Sequence, residues 1–210
     1  MLRVSLACPL VLLAAGACQT MTPSPPAASR PSVVVEEAEA WRRVASARDA
    51  AALDGLAARW QQALAAARAA GGARRIAAEG ALLSANAALP RAAPAPGSYR
   101  CRYVRPGGSK WAGSAPGFCY IGVEAGQLSL ATELRGLRLG GYLWELRDGR
   151  GLIFLGAPVA SGRIAPAYGE NPGRDVAGRL ERIGEFRYRL VLPDPAAGLT
   201  IVELIAAPRP

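Results

Sequence analysis

Two stretches of the sequence, QLSLATEL at residues 127–134 and FRYRLVL at residues 186–192, decide the fold. In each stretch, apolar side chains recur at every second position, which makes one face of an extended chain apolar. Arg187 and Arg189 lie on the face opposite Tyr188. This period of two predicts β-strands that turn one face towards a core.

The same period extends outward from these two stretches over most of residues 97–207. The breaks between the periodic runs are rich in Gly or in charged residues, and RDGRG at residues 147–151 is typical of a tight hairpin turn. We predict strands at about residues 98–105, 117–124, 127–134, 137–146, 151–156, 180–184, 186–192 and 199–205. Short strands in close succession favour an antiparallel meander or a small antiparallel β-barrel.

The segment that precedes the strands, residues 36–90, is built from strong helix formers. Spacings of three and four residues define one apolar stripe, formed by Leu53, Leu56, Trp60 and Leu64. Ser46 or Asp49 is positioned to cap a second helix after a short break. The spacing predicts a helical hairpin or three short helices, so the expected fold class is α+β. The sequence PRAAPAPG at residues 90–97 separates the helical region from the β-region of residues 97–207.

The N-terminal segment predicts export. Residues 1–17 contain Arg3, then an apolar run too short to span a bilayer, then small residues directly before Cys18. This pattern resembles the leader of a bacterial lipoprotein, in which the cysteine would be lipidated and become the first mature residue. The alternative is an ordinary secretory signal that is cleaved nearby. In the lipoprotein interpretation, residues 18–35 comprise the lipidated cysteine and a flexible tether rich in Pro and Ala.

The leader also predicts location and partners. The protein is expected to face the periplasm from a membrane anchor, and Gln19 after the cysteine favours the outer membrane over the inner one. The 210-residue chain has a formal net charge of +9, but its arginines are scattered. Nucleic-acid binding usually needs a concentrated basic patch, so we expect no nucleic acid. The expected partners are the membrane, through the lipid anchor, and an envelope protein.

The cysteines divide by position. Cys8 belongs to the leader and Cys18 to the anchor, which leaves Cys101 and Cys119 on neighbouring predicted strands. In an oxidising compartment this pair predicts one disulfide. The alternatives are a redox pair or a metal site, but the chain has no C-x-x-C motif and no histidine. We therefore expect no metal site and no cofactor.

The densest polar stretch of the chain lies between two β-regions. It supplies a candidate ligand or partner surface formed by Tyr168, Arg174, Asp175, Glu181 and Arg182. Asp175 and Glu181 could act as an acid–base pair, with Arg174 or Arg182 holding an anionic substrate. The alternative is a long ordered loop with local ion pairs and the Tyr168 ring packed over the sheet. Because the sequence holds no phosphate-binding loop, no nucleophile elbow and no histidine base, we assign no catalytic residue.

A series of short motifs appears one after another along the mature chain. They are WRRV at 41–44, YRCR at 99–102, FC at 118–119, FLG at 154–156, YG at 168–169, RDVAG at 174–178, ERIG at 181–184, YRLVLP at 188–193 and VEL at 202–204. This arrangement resembles an exported proteobacterial family catalogued as domain of unknown function 4893. The resemblance covers nearly the whole mature chain and implies no established activity.

Three hypotheses for the function follow from the sequence. The first is a lipid-anchored envelope protein that binds or scaffolds without catalysis. The second is a lipocalin-like carrier with an apolar ligand inside the barrel, which requires an open cavity. The third is a hydrolase-like enzyme that uses Asp175 or Glu181.

Overall fold

The computed structural model of the chain describes residues 40–106, 111–195 and 198–207. The predicted leader, Cys18 and the predicted tether lie outside the described residues. The described residues belong to one compact unit, Ser32–Pro210. In that described part, no helix is long and apolar enough to cross a membrane.

The N-terminal region forms short helices, as predicted. They are α1 (Ala40–Val44), α2 (Ala47–Asp54), α3 (Leu56–Ala69), α4 (Ala73–Glu79) and a 3-10 helix (Gly80–Leu83). Ser46 caps α2, because its hydroxyl accepts a hydrogen bond from the Asp49 amide at 3.2 Å. Trp60 and Leu64 of the predicted apolar stripe are buried against the β-region. The helices therefore form a layer on one side of the strands.

The β-region forms a closed antiparallel barrel. Its strands are β1 (Gly97–Arg105), β2 (Ala112–Gly113), β3 (Gly117–Glu124), β4 (Gln127–Leu134), β5 (Leu137–Glu145), β6 (Leu152–Pro158), β7 (Val176–Gly184), β8 (Arg187–Asp194) and β9 (Gly198–Ala206). The two-residue β2 pairs only with β1, and β9 returns to pair with β1. Eight of the described strands thus close the barrel, which confirms the predicted α+β class with an antiparallel barrel.

The inward faces of the strands fill the barrel. Phe154, Leu180, Leu190, Val202 and Leu204 belong to one interior cluster and are each 0% exposed. The walls of a ligand cavity would retain surface that a water molecule can reach. Side chains of the protein itself therefore occupy the space between these five residues.

The predicted disulfide is confirmed inside the barrel. Cys101 on β1 and Cys119 on β3 are bonded, with their Cα atoms 5.9 Å apart. They lie diagonally in the register, because Cys119 faces Tyr99 and Cys101 faces Gly117. Both cysteines are buried in the interior cluster, so the disulfide is part of the barrel core.

The proline-rich segment that separates helices from strands also covers part of the barrel. Ala92 is 3% exposed and packs into the interior cluster. The Tyr99 hydroxyl donates a hydrogen bond to the Ala95 carbonyl at 2.7 Å. The Arg182 guanidinium donates to the Pro90 carbonyl at 2.6 Å. These contacts fix the segment against the barrel, so it is more than a spacer.

We expect the protein to lose stability at alkaline pH, because the hydroxyl of Tyr99 is buried. Burial, together with a smaller effect of the nearby Tyr188, raises the pKa of this hydroxyl from 10.0 to about 12. Since the folded pKa is the higher one, the stabilisation is complete below pH 10 and is lost as the pH rises through 12. We expect the free energy of unfolding to fall by about 2 kcal/mol over this window. Urea denaturation at a series of pH values measures it.

The matched control for this prediction is Tyr99→Phe, which keeps the ring and removes the ionisable hydroxyl. Its stability should fall less between pH 10 and 12 than that of the parent. An identical pH profile for parent and variant would contradict the assignment of the effect to Tyr99.

Candidate functional site

An open cleft lies outside the barrel, where the helix layer meets β7 and β8. It has a volume of about 640 Å³. Its walls come from three parts of the chain. The helices α2 and α3 provide Leu53, Leu56 and Trp60, and the loop after the 3-10 helix provides Ala85, Asn86 and Ala88. The outer face of the barrel provides Arg179, Glu181, Arg189 and Val191. We call this space the helix–barrel cleft. The period-two pattern positions its charged residues, because odd-numbered residues of β7 and β8 point away from the interior.

A buried ion pair forms part of the cleft wall. Arg189 is 1% exposed and Glu181 is 8% exposed. The Arg189 Nε donates to Glu181 Oε2 at 2.7 Å. The guanidinium also stacks on the Trp60 ring, 4.6 Å from its centroid. Burial lowers the pKa of Arg189, and the Glu181 carboxylate opposes that shift.

The same guanidinium fastens the helix layer to the barrel. Its Nη1 atom donates to the carbonyls of Ala81 and Leu82, each at 3.1 Å, and to that of Ser84 at 2.6 Å. These carbonyls belong to the 3-10 helix and the residue after it. Those of Ala81 and Ser84 also accept longer backbone hydrogen bonds, from the amides of Ser84 at 3.4 Å and Ala87 at 3.2 Å. Arg189 is thus primarily a structural residue that also fixes Glu181.

Arg179 lies at the exposed side of this pair. Its Nε is 3.0 Å from Glu181 Oε1, an ion pair whose angle does not make a hydrogen bond, and its Nη2 is 3.7 Å from Asp148 Oδ2. A Cβ atom at Gly151 would lie 2.9 Å from Arg179 Nε, so glycine leaves the space that this side chain fills. Trp60 Nε1 is a second buried donor without an acceptor.

A different cluster holds Tyr168. Its hydroxyl donates to Asp49 Oδ2 at 2.5 Å and accepts a hydrogen bond from the Ser46 amide at 3.0 Å. Asp49 is 5% exposed, and its other oxygen accepts from Arg48 Nε at 2.9 Å. Burial and the Asp49 hydrogen bond raise the pKa of Tyr168. The contacts attach the start of α2 to the loop before β7, which is a structural role.

Asp175 lies close to that cluster. Its Oδ2 accepts from the Gly169 amide at 3.0 Å, its backbone carbonyl accepts from Arg48, and its buried Oδ1 has no partner in the described residues. Arg174 beside it is exposed. This position borders a second groove, of about 680 Å³, between α2 and the start of β7.

The structure does not bring the five predicted surface residues together. Glu181 lines the helix–barrel cleft, Arg182 contacts the Pro90 carbonyl, and Tyr168 and Asp175 lie at the start of α2. Asp175 and Glu181 are six residues apart along nearly continuous β-strand, roughly 20 Å at 3.3 Å per residue. In glycoside hydrolases, which use a pair of carboxylates, the two groups are about 5–9.5 Å apart. The two carboxylates therefore do not form the pair considered for a hydrolase.

Sequence reasoning also missed three residues of the cleft. Arg179, Arg189 and Trp60 carry much of its charge and aromatic surface, yet none was assigned to a site. The available signal was the alternation in FRYRLVL, which placed Arg189 on the outer face. In the described part of the chain, no group of three or more His, Cys, Asp and Glu is arranged to hold a metal ion.

The fold and the cleft define a class of protein: a small closed antiparallel β-barrel with a helical layer and a charged cleft between them. The sequence model described as "Domain of unknown function (DUF4893)" matches residues 41–204, and the chain belongs to this family. No curated protein and no solved structure matches the chain.

Proposed function

We propose that this protein is a lipid-anchored component of the bacterial envelope that binds a ligand or partner on the outside of its barrel, without catalysis. The anchor would be Cys18, behind the leader of residues 1–17. Residues 18–35 would hold the barrel away from the membrane.

The binding part of this proposal rests on one observation: the open cavity lies outside the barrel and not in its interior. The interior cluster contains side chains with 0% exposure, whereas the helix–barrel cleft is open and about 640 Å³ in volume. Small-molecule sites usually have volumes of 300–1,000 Å³ and combine apolar walls with a few fixed polar groups. The cleft has both kinds of wall, so it suits binding better than the interior does.

A lipocalin-like carrier is the second candidate, and the closed barrel is the observation in its favour. An apolar ligand would have to displace interior side chains such as Phe154 and Leu190, which are fully buried. Displacing packed core side chains costs several kcal/mol unless the ligand replaces their contacts. The carrier therefore requires an opened barrel, and binding in the cleft does not.

Metabolic labelling tests the anchor. Full-length protein expressed in a bacterial host with a clickable palmitate analogue should be labelled and should sediment with membranes. Cys18→Ala should lose the label and leave the membrane fraction, because the acylated sulfur is gone. Cys8→Ala, also in the leader, is the matched control and should behave as the parent. Labelled, membrane-bound Cys18→Ala protein would refute lipid anchoring at this residue.

A further inference from the structure

We infer that the helix–barrel cleft binds an amphipathic organic anion, whose head is a carboxylate or a phosphate ester and whose body is short and apolar. This inference rests on the binding role proposed above and names the class of ligand. Three features of the cleft support it: its charge, its unsatisfied donors and its apolar wall.

The charge of the cleft is the first feature. Arg150, Arg179 and Arg189 line it together with two carboxylates, Asp54 and Glu181. Glu181 lies between Arg179 and Arg189, so one carboxylate serves two guanidinium groups. Asp148, outside the cleft, lies 3.7 Å from Arg179 Nη2 and compensates part of its charge. Three guanidinium groups thus face two carboxylates, so positive charge exceeds negative charge by one on the barrel side of the cleft.

The fifth charged residue, Asp54, does not remove this excess. Its carboxylate is bound by Arg42, with Nη2 to Oδ1 at 2.8 Å, and that arginine is not part of the cleft. The Arg42 guanidinium lowers the pKa of Asp54. Asp54 is thus already compensated by a cation of its own.

The hydrogen-bond balance is the second feature. Among the described cleft residues, two buried polar atoms lack a hydrogen-bond partner, Trp60 Nε1 and Arg179 Nε, and both are donors. Both oxygens of Glu181 are engaged by arginines. The Arg150 guanidinium is exposed and donates one hydrogen bond, to the Ala88 carbonyl at 2.7 Å. A ligand that brings acceptors and negative charge complements the accessible donors, which belong to the exposed Arg150 and to Arg179, whose side chain is 32% exposed. The two buried donors become accessible to a ligand only when neighbouring side chains move.

The apolar wall is the third feature. Leu53, Leu56, Ala57 and Val191 lie in the same cleft as the arginines. An inorganic anion would leave this wall without a partner. An anion that carries an apolar body buries the wall and gains about 25 cal/mol for each Å² removed from water.

Titration of Trp fluorescence and calorimetry test the inference with defined probes. The protein used is the full chain with Cys18→Ala, which removes the predicted acylation site. The result of the binding test therefore does not depend on whether the protein is lipid-anchored. The probes are sodium octanoate, octyl phosphate and 1-octanol. Saturable binding of either anion supports the inference, and the stronger of the two identifies the head group. Octanol, with the same body and no charge, should bind at least tenfold more weakly.

The variants locate the site. Arg179→Gln should weaken binding of the octyl anions about tenfold, because it removes a charge-assisted hydrogen bond. Arg135→Gln, exposed in the turn between β4 and β5, is the matched control and should bind as the parent does. If Arg179→Gln does not fold, Arg150→Gln at the exposed edge replaces it, with the same expected direction. Unchanged affinity in the folded cleft variant, equal affinity for octanol, or no saturable binding of either anion would overturn the inference.

Discussion

Arg189→Met should lower the free energy of unfolding by about 3–5 kcal/mol. Methionine fills much of the volume but removes the buried one of the two guanidinium groups that compensate the Glu181 carboxylate, and only the ion pair with the partly exposed Arg179 remains. It also removes the donor that Arg189 provides to the carbonyls of Ala81, Leu82 and Ser84. Those of Ala81 and Ser84 keep longer backbone hydrogen bonds, at 3.4 and 3.2 Å. Each lost hydrogen bond from a charged donor costs about 1.5–3 kcal/mol. Urea denaturation followed by circular dichroism measures the change.

Two further variants make this prediction specific. Arg135→Met also replaces an arginine by methionine, but on the surface, and should change stability by no more than about 0.5 kcal/mol. Glu181→Leu combined with Arg189→Met removes both charges of the buried pair. The double variant should lose less free energy of unfolding than the two single variants lose together, because neither charge of the pair remains without its partner. A loss below about 1 kcal/mol for Arg189→Met would contradict the role assigned to this guanidinium.

The burial of Arg189 marks the limit of what the sequence could predict. A period of two places Arg189 on the outer face of its strand, and the structure agrees. Alternation within a strand carries no information about what covers that face. The helix layer does so here through Trp60 and the 3-10 helix, and a residue expected at the surface becomes 1% exposed.

The start of β7 shows a second limit, this time in the fold. The sequence predicted a strand at 180–184, whereas the strand begins at Val176. Its first residues are small, so their hydropathy does not alternate clearly. Gly178 is small for a packing reason, since a Cβ atom there would lie 2.6 Å from Leu192 Cδ2. Glu181 and Arg182 lie in the part that was predicted as a strand, and residues 176–179 extend that strand towards the N-terminus.

The candidate site was predictable only in part for the same physical reason. Glu181 was selected because it lies in a polar stretch, and it does line the cleft. Its partner Arg189 is eight residues away along the chain and reaches it across the β7–β8 hairpin, where Glu181 and Arg189 face each other in the register. Pairings of this kind depend on strand register, which the alternation alone leaves open by steps of two residues.

Reduction of the Cys101–Cys119 disulfide should lower the free energy of unfolding by about 3 kcal/mol. The bond closes a loop with a sequence separation of 18 residues, and the chain-entropy estimate for such a loop has this size. The chain used should carry Cys8→Ala and Cys18→Ala, so that no other thiol takes part. Urea midpoints with and without reductant measure the loss, and a mass increase of about 2 Da verifies reduction.

Comparison with Cys101→Ala/Cys119→Ala separates the cross-link from the packing of its sulfur atoms. Reduced protein keeps both sulfurs in the barrel core, whereas the alanine variant also leaves a small cavity, so it should be the less stable of the two by about 1 kcal/mol or more. Both cysteines are at most 3% exposed, so reductant reaches the bond only when the barrel opens. Reduction in native buffer should therefore be slow and should accelerate in urea below the unfolding midpoint. An unchanged midpoint after verified reduction would show that the register of β1 and β3 needs no covalent support.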